Sequence, residues 1–321
     1  MAKKSPRSEI LAALREASQN ETKAVELLEA QRWGDEPACP RCGSVGVYQM
    51  QSKDGGREKN FRWRCRDCKR MYSVRTGLIF EESRLPLRIW VYAFWKACAS
   101  KKGISALQIS RECEISYKTA LFLMHRIRYS MTDQSPAKLS GTVEVDETWV
   151  GGKPRNKRRG KGYAGTMTRK EWTSKVPVMA MVQRGGNVRV RKIERVDSNT
   201  LGKAITECIE PGTTIYTDEH SGYKQLDRTS LYQHDSVNHS KYEYARGDVT
   251  TNTVEGFFSI LKRGIFGTFH SVSKHHLHRY LGEFEFKYNT RKMDDGERTL
   301  AAIKGGEGKR LLYAQPSQAY S

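Results

Sequence analysis

The chain has 321 residues and a mass of 36.7 kDa, with 56 Lys and Arg against 36 Asp and Glu, giving a net charge of +20 and a pI near 9.7. That length suits about two domains, and the charge points to a polyanionic partner, most simply nucleic acid, with an anionic membrane surface as the weaker alternative. A membrane span is excluded: the densest apolar stretch, Ile89 to Ala99, is interrupted by Lys96 and falls well short of the ~20 residues required.

MAKKSPRSEI has no apolar h-region, so no secretory signal is expected. Seven cysteines without such a signal predict reduced thiols in a cytoplasm. Residues 1–34 read as two helices, with apolar positions at helical spacing and Asn20 as a cap between them. Trp33, at the end of the second, is expected to pack on the cysteine-bearing segment next to it.

In residues 35–80, Cys39-x2-Cys42 and Cys65-x2-Cys68 stand 22 residues apart. Two such knuckles bring four thiolates onto one Zn²⁺ at about 2.3 Å, a closed tetrahedral site and therefore a structural one. Strands are expected at 47–51 and 60–64, the layout of a zinc ribbon. Arg57 to Arg75 holds eight Lys and Arg against two acids. Those cations either neutralise the thiolate cluster or face phosphate.

Residues 81–134 predict an apolar helix opened by Pro86 and ended before Gly103. Two further helices, 104–113 and 117–131, are joined by a short turn, as in a helix-turn-helix. Lys118, His125, Arg126 and Arg128 read as one polar half of the second, with Lys118 and Arg126 as candidate DNA contacts; a small bundle that never touches DNA is the alternative. TDQSPAKLSG marks a domain boundary.

In residues 140–292, GTVEVDETWVGG reads as a strand carrying Asp146. A hairpin comes next at 176–182 and 187–194, then a helix near 198–208 and a strand at 213–217 ending at Asp218. Residues 249–263 read as a helix with Asn252, Glu255, Ser259 and Lys262 on a polar stripe over buried Val254, Phe257, Phe258 and Leu261. Two strand-borne aspartates and a helix-borne carboxylate suit two-metal phosphoryl chemistry on hard oxygen ligands. Lys153, Arg155, Lys157, Arg158, Arg159 and Lys161 crowd the loop after the first strand, a phosphate clamp or a merely solvated loop. His234, His239 and His275-His276-x-His278 show no acid-His pattern of catalytic zinc and are expected to contact DNA or pack helices. Residues 293–321 form a C-terminal tail.

The strings CPRCG…CRDC, TGLIFEESRLPLRIW, VEVDETWVGG, TDEHSGY, VNHSKYEY, NTVEGFFSILKRGIFGTFH and GERTLAAI stand in the order found in a known family. The chain resembles bacterial insertion-sequence transposases with an N-terminal zinc ribbon and a DDE domain, in the ISXO-like branch related to Merlin elements. The resemblance implies an α/β fold with an RNase H-like mixed sheet, flanking helices, a zinc ribbon and a helix-turn-helix region. It implies Asp146 and Asp218 as the first two catalytic acids. The third is Glu255, with Lys262 seven residues on and Arg263 beside it as DNA contacts, or Asn252 one turn earlier. Two Mg²⁺ or Mn²⁺ ions would serve strand cleavage and strand transfer at terminal inverted repeats. The implied partner is double-stranded DNA, with no membrane, with homo-oligomers assembling on the DNA in a bacterial cytoplasm at the nucleoid. A non-catalytic DNA-binding regulator and a nuclease without strand transfer are the rival readings.

Overall fold

The computed structural model describes residues 6–133, 136–151, 175–243 and 245–312. It separates into two compact units, residues 1–133 with 290–321, and residues 134–289. Among the described residues, no helix is long and apolar enough to cross a membrane.

The first unit opens with α1 (Pro6–Ala17) and α2 (Glu21–Trp33). The Asn20 side chain caps α2 by accepting from Lys23 N at 3.1 Å, satisfying one of the amides that a helix start leaves open. Three short antiparallel strands form the ribbon: β1 (Val47–Gln49), β2 (Trp63–Cys65) and β3 (Met71–Tyr72). Pairing begins at Trp63 rather than Asn60 because Phe61 takes a left-handed backbone, φ 53°, which interrupts the extended run. Trp33 packs on the ribbon as expected, edge-on to Trp63 and Tyr72 at 5.6 and 5.9 Å. Glu29 ties α2 to the same core, accepting from Trp63 Nε1 at 2.7 Å and from the Arg57 guanidinium.

Then come α3 (Leu87–Ala99), α4 (Ala106–Glu112) and α5 (Tyr117–Met131). Ser105 and Ser116 cap the last two, accepting from Gln108 N and Thr119 N at 3.1 and 3.2 Å. The polar half read for α5 is corrected by burial: His125 and Arg126 are 5 % exposed and Arg128 1 %.

The second unit is a five-stranded mixed sheet with helices on both faces. In chain order it contains β4 (Thr142–Val150), β5 (Val176–Gln183), β6 (Val188–Lys192), α6 (Ser198–Cys208), β7 (Thr214–Thr217) and β8 (Gln233–Ser236). The spatial order is β6-β5-β4-β7-β8, antiparallel on the β5 side and parallel on the β7 side, the RNase H-like arrangement. A two-residue hairpin, β9 (Ala245–Arg246) with β10 (Val249–Thr250), leads into α7 (Asn252–Gly264). That pairing is why the helix starts at Asn252 and not at Val249. A π-helical turn over Ile265–Phe269 separates α7 from α8 (Leu277–Asn289).

The period-2 alternation of β4 splits the core. Val143 and Val145 pack with Met179, Met181, Leu201, Ile205 and Ile215 on the α6 side. Val150, Val178, Ala180 and Val182 meet Val254, Phe257, Phe258 and Leu261 of α7 and Leu281 of α8 on the other. The chain then returns to the first unit through α9 (Asp295–Lys304), which packs on α3, α1 and α5.

Candidate active site

The central strand and its parallel neighbour position the first two acids. Glu144 pairs with Tyr216 across β4 and β7, and Asp146 and Asp218 each stand two residues further along. Parallel strands run about 4.8 Å apart, so the two carboxylates arise side by side at the same level. Asp218 follows β7 directly, and its Oδ1 accepts from His220 N at 3.0 Å. Glu255 lies in the first turn of α7, where its Oε1 accepts from Thr251 Oγ1 at 3.1 Å and faces His239 Nε2 at 3.8 Å.

Asp146 lies within electrostatic reach of Asp218, Glu255 and Lys262. The Asp146 carboxyl is pushed up to about 6, first by burial and then by the charges of Asp218 and Glu255, against the opposing pull of a Glu147 backbone hydrogen bond and Lys262. Glu147 is raised to about 7, chiefly by burial and further by Asp146 and Asp218. It points to the opposite face from Asp146 and accepts from the hydroxyl of fully buried Tyr223. Asp146, Glu147 and Asp218 line a cleft of about 800 Å³, with Lys175, Lys192, Arg195, Lys274 and the half-exposed Trp149 also on its walls.

Glu219 holds the approach to α7. Its carboxylate accepts from His239 N and Ser240 N at 2.9 and 3.0 Å, and these bonds, led by the Ser240 hydroxyl, hold it down at about 2. Sequence reasoning marks Glu147 only as a second acid beside Asp146 and misses Glu219 and Tyr223. The signal was the acid directly after each predicted catalytic aspartate.

The four cysteines come together in the first unit. Their sulfurs lie within 4.8 Å of one another, with Cys39 to Cys68 at 3.8 Å and Cys42 to Cys65 at 3.6 Å. A tetrahedral ion with 2.3 Å bonds to sulfur requires edges of ~3.8 Å, so the thiols fit zinc. Gly43 and Lys69, each following the second Cys of a knuckle, both take left-handed backbone, φ 75° and 59°. Among the described residues no other group of three or more potential ligands gathers within that distance, so the acids are more widely spread than the thiols.

The basic candidates divide. Lys118, Lys262 and Arg263 are exposed. Arg126 is not: its Nη2 donates to Glu81 O at 2.8 Å and its guanidinium lies over the Trp90 and Phe122 rings, so it braces the helices and presents no charge to a phosphate. Arg57, Arg62 and Arg75 of the ribbon also serve internal partners, while Arg64, Lys69 and Arg70 stay exposed. Asn252 is exposed at the start of α7. Lys153, Arg155, Lys157, Arg158, Arg159 and Lys161 lie outside the described residues.

Residues 138–289 match the ISXO2-like transposase domain and residues 19–71 the transposase zinc-ribbon domain. A protein of transposable element ISH50 from Halobacterium salinarum is 30 % identical over 274 residues, covering 84 % of this chain and 90 % of its own. A transposase-like protein of Haemophilus influenzae is 32 % identical over 97 residues, covering 30 % of this chain and 76 % of its own. Two crystal structures, the Mos1 strand transfer complex and a pre-cleavage Mos1 transpososome, overlap it at 12 % and 10 % identity. They cover 68 % and 95 % of this chain and 75 % and 98 % of theirs, with TM-scores of 0.22 and 0.23, too loose to assign any residue. The domain matches and the near full-length relative lead to one assignment: this chain belongs to the ISXO2-like transposase family.

Proposed function

We propose that this transposase nicks DNA at the terminal inverted repeats of its element and joins the freed end to target DNA, with Asp146, Asp218 and Glu255 holding divalent cations. The observation that carries the reading is the convergence on Asp146 of charge from Asp218 and Glu255, carboxylates of two other elements, which adds to the larger effect of burial in raising its carboxyl to about 6. Like charges held near one another favour a bound cation, and hard carboxylate oxygens suit Mg²⁺ or Mn²⁺. Bound there, the ions would lower the pKa of the attacking water and stabilise charge at phosphorus.

Hydrolysis forms a bond from the water oxygen to phosphorus and breaks the bond to the 3′ oxygen, which leaves with a proton. In transfer that 3′-hydroxyl attacks a target phosphodiester, whose own 3′ oxygen leaves. Asp146 and Asp218 hold the reacting centre at the sheet, and Glu255 closes it from the helix with Asn252 as its neighbour. Lys262, two turns along the exposed stripe of α7, binds a flanking phosphate, and Lys118 and the cations of residues 153–161 hold the duplex. The thiols of the ribbon hold Zn²⁺ for structure.

The test is Asp146→Asn with a labelled element-end duplex. Mg²⁺-dependent cleavage falls on the order of a thousandfold, as expected for losing several kcal/mol of charge stabilisation, while DNA affinity stays within about twofold. A DNA-binding regulator would show no cleavage to lose, and unchanged cleavage in the variant would sink the assignment of the acids.

A further inference from the structure

The three acids belong to three different elements, yet residues beside each of them meet at one ion pair, a buried Glu144 carboxylate with a partly exposed Arg184. Glu144, two residues before Asp146, is fully buried. Its carboxylate accepts from Thr253 N at 2.7 Å, Thr253 Oγ1 at 2.8 Å, Val254 N at 3.1 Å and Arg184 Nε at 2.8 Å. Thr253 and Val254 directly precede Glu255. Arg184 also donates to Thr250 Oγ1 at 3.0 Å, and its guanidinium lies 4.9 Å over the ring of Tyr216, two residues before Asp218 and paired with Glu144 across the sheet.

Glu144 does for α7 what a cap residue ordinarily does. The Thr251 side chain makes no capping bond to the helix amides, and a carboxylate from the central strand takes the N-terminal donors instead, aligned with the helix dipole. A buried charge is costly even when paired, and apolar residues of similar size often stabilise a fold as well. What the pair does provide is directional bonding that fixes how strand, neighbouring strand and helix stand to one another.

We infer that Glu144 and Arg184 are positioning residues, a clamp that sets the spacing of Asp146, Asp218 and Glu255 and so tunes the divalent-cation site; this rests on the function proposed above. Glu144 is fully buried and its carboxylate is occupied by these donors, so the clamp acts through the acids it positions. Outer partners of metal ligands typically alter affinity or activity by 10- to 100-fold when replaced, and the clamp is expected to act on that scale.

The experiment uses the full-length, zinc-loaded chain. Glu144→Gln keeps the side-chain size but gives up the charge and the symmetric pair of acceptors. Its Mn²⁺ affinity, measured by the electron paramagnetic resonance of free Mn²⁺, drops about 10-fold or more, and the Mg²⁺ concentration for half-maximal cleavage rises by a similar factor. Its circular dichroism and DNA affinity stay as in the wild type. If Glu144→Gln fails to fold, Arg184→Lys and Thr253→Val take its place, each loosening the clamp with the Glu144 carboxylate retained. Lys keeps the charge but loses the fork and the flat stack on Tyr216. A raised metal requirement in the folded variants supports the clamp, and an unchanged one overturns it. An inert Asp146→Asn beside such unaltered variants would overturn the clamp alone, whereas an active Asp146→Asn would overturn the underlying reading as well.

Discussion

The thiol cluster and the acidic cluster are built on opposite plans. Four sulfurs come from two knuckles of one small ribbon and stand within 4.8 Å of one another, at the spacing of a closed tetrahedron. The acids come from two strands and a helix and are spread more widely, with Asp146 and Asp218 lining an open cleft. A structural ion needs every coordination position filled by protein, whereas a catalytic one needs positions left for water and phosphate. The ribbon can therefore gather its thiols locally, whereas the acidic cluster depends on a whole sheet and α7 to bring like charges near one another.

The largest expected effect separates the two plans. Zinc removal by a strong chelator, or Cys65→Ser, unfolds the ribbon, because structural zinc contributes on the order of 10 kcal/mol or more to domains of this kind. Limited proteolysis then cuts within residues 36–72. Mn²⁺ binding by the second unit persists, and its loss would break the separation.

A smaller effect concerns protons. The carboxyls of Asp146 and Glu147 titrate near 6 and 7 in the folded chain, against about 4 when unfolded. The folded chain holds these protons more tightly, so the stability they contribute is complete below about pH 4 and is lost as the pH rises through 6 and 7. Between pH 5 and pH 8 the metal-free chain should lose melting temperature, roughly 2–4 °C for each kcal/mol. Asp146→Asn should flatten that trend, and Mg²⁺ should raise the melting temperature at pH 8 but not at pH 5. Calorimetry of the two chains reads the difference, and parallel pH curves would contradict the crowding.

The smallest effect distinguishes two cations of α5. Lys118→Ala leaves melting in place and lowers the slope of log affinity against log salt by about one. Arg126→Met strands the Glu81 carbonyl, costs about 1–3 kcal/mol and leaves the slope of the folded chain unchanged. A reduced slope in Arg126→Met would return that residue to the DNA surface.

These contrasts also explain what the amino-acid sequence discloses. Cys39, Cys42, Cys65 and Cys68 are legible because metal geometry fixes their spacing. The buried stripe of α7, Val254, Phe257, Phe258 and Leu261, is legible because helical periodicity marks it. Arg126 and Arg128 mislead, since a cation on an amphipathic helix reads as solvent-facing until Trp90 and Glu81, remote in sequence, are seen to enclose Arg126. Glu144 is silent for the same reason. Within VEVDE it reads as one more polar alternation, and only the parallel register with Tyr216 and the placement of α7 reveal its four bonds.

The return of the chain through α9 has a consequence for synthesis. The second unit is one continuous stretch, 134–289, and can fold as soon as it has left the ribosome. The first unit cannot, because α3 and α1 await a partner made only after that whole stretch. Ile79 N finds its acceptor, Gly306 O, only then. A nascent chain thus carries a finished five-stranded sheet before its ribbon-bearing unit is closed, and a premature stop near residue 290 would yield a folded sheet attached to an incomplete bundle.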